Sequence, residues 1–252
     1  MSSDHDFPAL LSLLDDRSAA FREALAAAPA LDAKVPTCPE WTLHELAQHL
    51  GQGQRFWAAI VTAGASETPP PRPTEPAPTE REALTAWFTA STDQLLDALR
   101  EAGPEAPCWT WWGPAQSPQN ALAAARRRLN ETAVHTYDAQ LAAGTPAAVP
   151  AEVARESVDE FLHTCCSTTV AWPHAPATLA FRATDGPTWH LALSPSGAHA
   201  TRTPTTTPPD ATIRGTAAEI LAVLYGRTPI EALPVEGDPE PFHQLYAWDP
   251  EA

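Results

Sequence analysis

The run that follows Pro118 and ends at Ala143 contains neither Gly nor Pro and is rich in Ala and Leu, which predicts a helix of several turns. On such a helix Glu131 and His135 lie one turn apart on a shared face. At about 100° per residue, Asp138 falls about 20° from Glu131, so carboxylate, imidazole and carboxylate form one stripe. Val134, Tyr137 and Leu141 flank that stripe, while Leu122 and Leu129 lie opposite. A helix apolar over so much of its circumference belongs inside a bundle, which carries the stripe inside with it. A carboxylate and an imidazole desolvated together call for a cation between them. The commoner meaning of a Glu-x-x-x-His pair alone is a solvated face or an ordinary ion pair, so a third ligand must come from elsewhere in the chain.

Helical spacing recurs on both sides of this run. Leu10, Leu11, Leu14, Phe21 and Leu25 mark a first helix over 7–29, closed by Pro29. A turn-rich connector, Val35-Pro36-Thr37-Cys38-Pro39-Glu40-Trp41-Thr42, leads to Thr42-Leu43-His44-Glu45, a capping box that starts a second helix. Leu43, Leu46, Leu50 and Trp57 form its apolar side, with His49 on the edge. A lone His there is more often a satisfied core residue than a ligand. The proline tract 69–78 reads as an exposed, semi-rigid loop. A third helix spans about 79–102 and is ended by Gly103-Pro104. The loop Cys108-Trp109-Thr110-Trp111-Trp112 is either a structural plug or the aromatic wall of a pocket. Four helices within 1–146 predict a four-helix bundle, whose core is where metal sites are built from facing helices.

Beyond Gly144-Thr145-Pro146 the pattern changes. A fifth helix over 151–164 precedes alternating segments at 178–183 and 188–193, joined by Asp185-Gly186, a hairpin signal. Short strands near 198–201 and 211–214, an amphipathic helix at 216–225 and a last helix at 239–245 complete a small α+β domain over 147–252. The fold class is therefore α+β.

Composition excludes several roles. A formal net charge of -16 argues against nucleic acid or an anionic membrane as partner. The N-terminus is acidic where a signal peptide is basic, and no apolar run approaches the roughly 18 residues of a membrane span. A cytoplasmic, monomeric protein is expected. Cys38, Cys108, Cys165 and Cys166 show no Cys-x-x-Cys pattern, so buried free thiols are the default.

Three segments resemble the mycothiol-dependent maleylpyruvate isomerase-like family, whose members have a DinB-like helical bundle. The entry to helix two, from Val35 to Thr42 with His49-Leu50-Gly51, is similar to that family's second-helix entry, and Arg127 to Ala139 looks like its metal-binding helix. Val158-Asp159-Glu160-Phe161-Leu162, Gly215-Thr216-Ala217 and Leu224-Tyr225-Gly226-Arg227 resemble its C-terminal domain. The chain departs from the family pattern at Asn130, often His, and at Glu40, commonly Gly.

The resemblance implies that His49, Glu131 and His135 hold a divalent metal. Two imidazoles and one carboxylate suit zinc (Zn2+) with one open position, and also nickel, iron or cobalt. Asp138 is better placed to orient a ligand or a bound substrate than to act as a fourth ligand. The implied chemistry is activation of mycothiol as cosubstrate for a small electrophile, in a cis–trans isomerase or an S-transferase. Trp109, Trp111 and Arg128 are candidates for the cosubstrate pocket. An acidic substrate needs a cationic clamp, for which Arg227 leads and Arg214, Arg127 and Arg128 follow. Two rivals use the same residues: a hydrolase working through metal-bound water, and a non-catalytic protein holding an apolar ligand under the tryptophans.

Overall fold

A computed structural model of the chain describes residues 5–203 and 208–250, so the acidic start read above lies mostly outside the described residues. The described residues divide into two compact units, one formed by 5–111 with 118–149, the other by 112–117 with 150–203 and 208–250.

The first unit is a four-helix bundle of α1 (Phe7–Ala27), α2 (Leu43–Ala63), α3 (Arg81–Ala102) and α4 (Ala121–Ala142). Helices α1 and α2 each pack against both α3 and α4. Its core joins Phe21, Leu25, Leu43, Leu46, Leu50, Leu84 and Phe88, all fully buried, with Ala139 of α4. Each such side chain contributes about 1.5–3 kcal/mol relative to exposure. The capping box foreseen at Thr42 is present in full: its side chain accepts from the Glu45 amide, and Glu45 accepts from the Thr42 amide. Asn120 caps α4 with its side chain alone, which accepts from the Ala123 amide.

Helix α4 is buried over most of its 22 residues, including Arg126, Arg127 and Arg128. Alanines at 121, 123, 124 and 125 leave room for neighbouring helices, while Thr132 and Thr136 return their hydroxyls to carbonyls one turn back. The connector between α1 and α2, read from sequence as turns alone, contains a short antiparallel pair, β1 (Lys34–Val35) with β2 (Cys38–Thr42). Two prolines within eight residues hide so short a ladder from any strand pattern.

The second unit starts with α5 (Ala151–Phe161), which continues as a π-helical turn, Leu162–Cys166, where a helix to 164 was expected. His163 Nδ1 bonds the Asp159 carbonyl at 2.8 Å, occupying the acceptor that an α-helical His163 amide would use. A five-stranded sheet follows: β3 (Ala177–Ala183), β4 (Thr188–Ser194), β5 (Gly197–Thr201), β6 (Ala211–Gly215) and β7 (Val235–Gly237), in the order β5-β4-β3-β6-β7. The hairpin at Asp185-Gly186 is formed, and Asp185 also accepts from the Ala217 amide at the start of α6 (Ala217–Leu224). A last helix, α7 (Glu240–Ala247), packs on β3. The parallel pairing of β3 with β6, and strand β7, carry no local signal in the sequence. Among the described residues no helix is long and apolar enough to cross a membrane.

Candidate metal centre

His49 projects from the second turn of α2, and Glu131 and His135 from successive turns of α4. Bundle packing brings all three together: one ligand atom from each lies within 4.8 Å of the others. Glu131 Oε2 is the shared apex, 4.0 Å from His49 Nε2 and 3.6 Å from His135 Nε2. Ligand atoms about 2.0 Å from a tetrahedral ion are about 3.3 Å apart, so small adjustments close this trio on a metal. Its other oxygen, Oε1, is engaged by Arg127 one turn earlier. The two carboxylate oxygens thus have separate tasks, and the set fits a divalent transition metal.

The surroundings set each group's charge. Burial pushes His49 down to about 4, as does the neighbouring His135; Glu131 opposes this, and the cations Arg128 and Arg72 add to it. His49 is accordingly a neutral imidazole at physiological pH, with a lone pair to donate. Burial would raise Glu131, but the Arg127 cation and then His135 hold its carboxyl well below the usual range. For His135, burial opposes the charged form, and hydrogen bonds to Asp138 and Glu131 outweigh it and raise the pKa.

Asp138, fully buried, accepts from His135 Nδ1 at 2.9 Å and from the Thr37 hydroxyl at 2.6 Å. With its Nδ1 proton committed to a carboxylate, His135 turns Nε2 toward Glu131. Thr37 and Cys38, whose sulfur is 3.9 Å from the other Asp138 oxygen, belong to the β1–β2 connector. That connector therefore anchors the outer residue of the site from outside the bundle. Asp138→Asn removes the carboxylate charge that holds the His135 Nδ1 proton and turns one of its two acceptors into an amide donor. We expect metal affinity to fall about 10–100-fold, measured by competition with a chromogenic chelator. Unchanged affinity would mean that Asp138 does not orient His135.

The ring against the imidazoles is Trp41, at 4.7 Å from His49 and 6.2 Å from His135, centroid to centroid. The sequence offers the 108–112 loop as either a structural plug or the aromatic wall of a pocket. There Trp109 is half-buried and Trp111 is 43% exposed, whereas Trp112 is assigned to the other unit. The readable signal for Trp41 is its place immediately before the Thr42 N-cap, where strand β2 aims it at the first turns of α2. Arg128 lies flat on α2: a Cβ at Gly53 would come within 3.2 Å of both its terminal nitrogens. Arg227 follows α6 in the second unit and donates to the Tyr225 carbonyl at 3.0 Å, and Arg214 pairs with Glu236 there at 3.4 Å.

Residues 11–140 match the family model "Mycothiol maleylpyruvate isomerase N-terminal domain", and residues 152–242 match "MDMPI C-terminal domain". No curated protein matches the chain in sequence. Among solved structures, the chain is similar to a histidine-to-alanine variant of the mycothiol-dependent maleylpyruvate isomerase, with TM-score 0.64 and 14% identity, over 94% of this chain and 96% of that one. The crystal structure titled for that isomerase without a substitution gives TM-score 0.62 and 16% identity over the same shares. At such identities the likeness is one of fold.

Proposed function

The chain belongs to the mycothiol maleylpyruvate isomerase family of enzymes, and from that premise we propose that it is a metal-dependent enzyme that activates a low-molecular-weight thiol, mycothiol, for addition to a small electrophile. His49, Glu131 and His135 would hold the metal, zinc by default. What carries this reading is the convergence of three donor atoms within 4.8 Å, with Arg127 holding the Glu131 oxygen that does not face the histidines. A divalent ion bound there supplies Lewis acidity, lowering the pKa of a bound thiol from about 8.5 so that it is a nucleophile at neutral pH.

The chain's own residues do the rest. Asp138 keeps the His135 ring in register and its Nε2 lone pair available. Arg127 neutralises the Glu131 oxygen that does not face the histidines. Trp41 packs against the His49 ring, with its own ring 4.7 Å away. The exposed side of His49 is the entry: 45% of its side chain is open. Thiolate addition followed by rotation and elimination gives an isomerase, and release of the adduct gives an S-transferase. Both share these residues.

The test is metal analysis of the purified protein with calorimetric titration of mycothiol into the metal-loaded and chelator-stripped forms. We expect about one metal per chain and thiol binding only in the loaded form. Metal without thiol binding would favour hydrolysis through metal-bound water, and protein that cannot be loaded would end the metalloenzyme reading.

A further inference from the structure

His44, Gln48 and Gln52 recur at four-residue intervals and form one stripe of α2. Each bonds the backbone of the proline tract: His44 Nε2 donates to the Pro78 carbonyl at 3.1 Å, Gln48 Oε1 accepts from the Ala77 amide at 3.0 Å, and Gln52 Nε2 donates to the Glu75 carbonyl at 2.9 Å. The tract therefore runs antiparallel to α2, and the next step along the helix brings Arg72 to Phe56. The Arg72 guanidinium carbon sits 4.3 Å from the centre of that ring. A sequence of stiff prolines held by three hydrogen bonds is a mount for this side chain.

The neighbouring stripe of α2 carries His49, Gly53 and Phe56 at helical spacing. Arg128 lies against Gly53, one turn from His49, and Arg72 lies against Phe56, two turns from it. Two guanidinium groups thus lie along α2 beyond the candidate metal site. Both charges reach His49, where they add to burial in keeping the ring neutral.

Arg72 is exposed, and among the described residues no carboxylate pairs with it, in a chain with 31 acidic residues. Arg127 is engaged with Glu131, and Arg214 with Glu236. Phe56 backs one face of the Arg72 guanidinium, which leaves its N–H edge for a planar anion.

We propose that Arg72 is the carboxylate-recognition subsite of this enzyme and selects electrophiles that bear a carboxylate over neutral ones. The proposal rests on the reading that His49, Glu131 and His135 form the reaction centre. Substrate enters with one carboxylate on the Arg72 fork, and its reacting carbon is thereby directed along α2 toward His49. Lysine cannot replace this geometry, since an ammonium is a point charge without a planar fork.

The test titrates maleate, a small cis dicarboxylate, and maleamide, its uncharged analogue, into the metal-loaded parent, Arg72→Ala and Arg72→Lys. Metal content and mycothiol affinity are measured on the same samples. We expect Arg72→Ala to weaken maleate about 10–100-fold, as loss of a charge-assisted hydrogen-bond pair does, and Arg72→Lys to recover only part of it. Maleamide, metal content and mycothiol affinity should not change among the three. Maleate binding that is absent from the parent, or equally tight in Arg72→Ala, overturns the proposal. If the parent holds no metal or thiol yet binds maleate through Arg72, the reaction-centre reading fails and the anion subsite stands.

Discussion

His49→Ala is expected to lose the metal and thiol-dependent turnover while leaving the fold intact. The side chain is 45% exposed, and Glu131 stands 4.0 Å away. Its removal opens no core cavity, so the metal-free variant should unfold within about 0.5 kcal/mol of the metal-free parent. Metal affinity is another matter. Residues that merely orient ligands cost about 10–100-fold when changed, so loss of one ligand in three should exceed 100-fold. Added metal should then raise the melting temperature of the parent alone, because only a form that binds gains by mass action. Chelator competition and thermal unfolding with and without zinc measure both effects. A variant that keeps parental affinity would remove His49 from the centre.

The α4 half of that centre was legible in the sequence because Glu131, His135 and Asp138 share one helix, where spacing alone fixes the face. His49 was not legible in this way. Its partners are more than eighty residues distant, and only the resemblance to a family joined the two segments. Arg72 was hidden for a different reason. His44, Gln48 and Gln52 read as an ordinary solvated stripe, and a proline tract reads as a loop, yet the bonds between them fix where Arg72 sits. Side-chain to backbone bonds across such a distance leave no periodic trace. Charge did not keep Arg126 to Arg128 at the surface: all three are buried, Arg127 beside Glu131 and Arg128 against the bare backbone of Gly53. In the second unit, the Asp185-Gly186 hairpin was legible because turn chemistry is local. The parallel β3–β6 pair depends on a register set about thirty residues away, and nothing local encodes it.

Gly197→Ala should produce the opposite dissociation, a large loss of stability with metal affinity kept. Gly197 opens β5 at φ 114°, a conformation that L side chains rarely adopt. A Cβ there would stand 2.0 Å from the Thr168 carbonyl oxygen and 2.9 Å from the Thr169 Cα, so backbone has to move. That backbone is tied to β5 by the Thr168–Ala198 bridge, with N–H to O distances between the heavy atoms of 3.0 and 2.9 Å. Strain of about 1–2 kcal/mol, added to weakening of two hydrogen bonds at about 0.5–1.5 kcal/mol each, predicts a loss of roughly 3 kcal/mol. For a chain of this size that lowers the melting temperature by roughly 6–12 °C. Gly103→Ala is the control. It too has a left-handed glycine, at φ 74°, but nothing lies within 4 Å of its Cβ, so it should bear the strain without the collision. A shift for Gly197→Ala at least twice that of Gly103→Ala, at unchanged metal affinity, separates the demands of the sheet from those of the centre. Equal shifts would mean that the Thr168 segment yields freely and does not cover the β5 edge in solution.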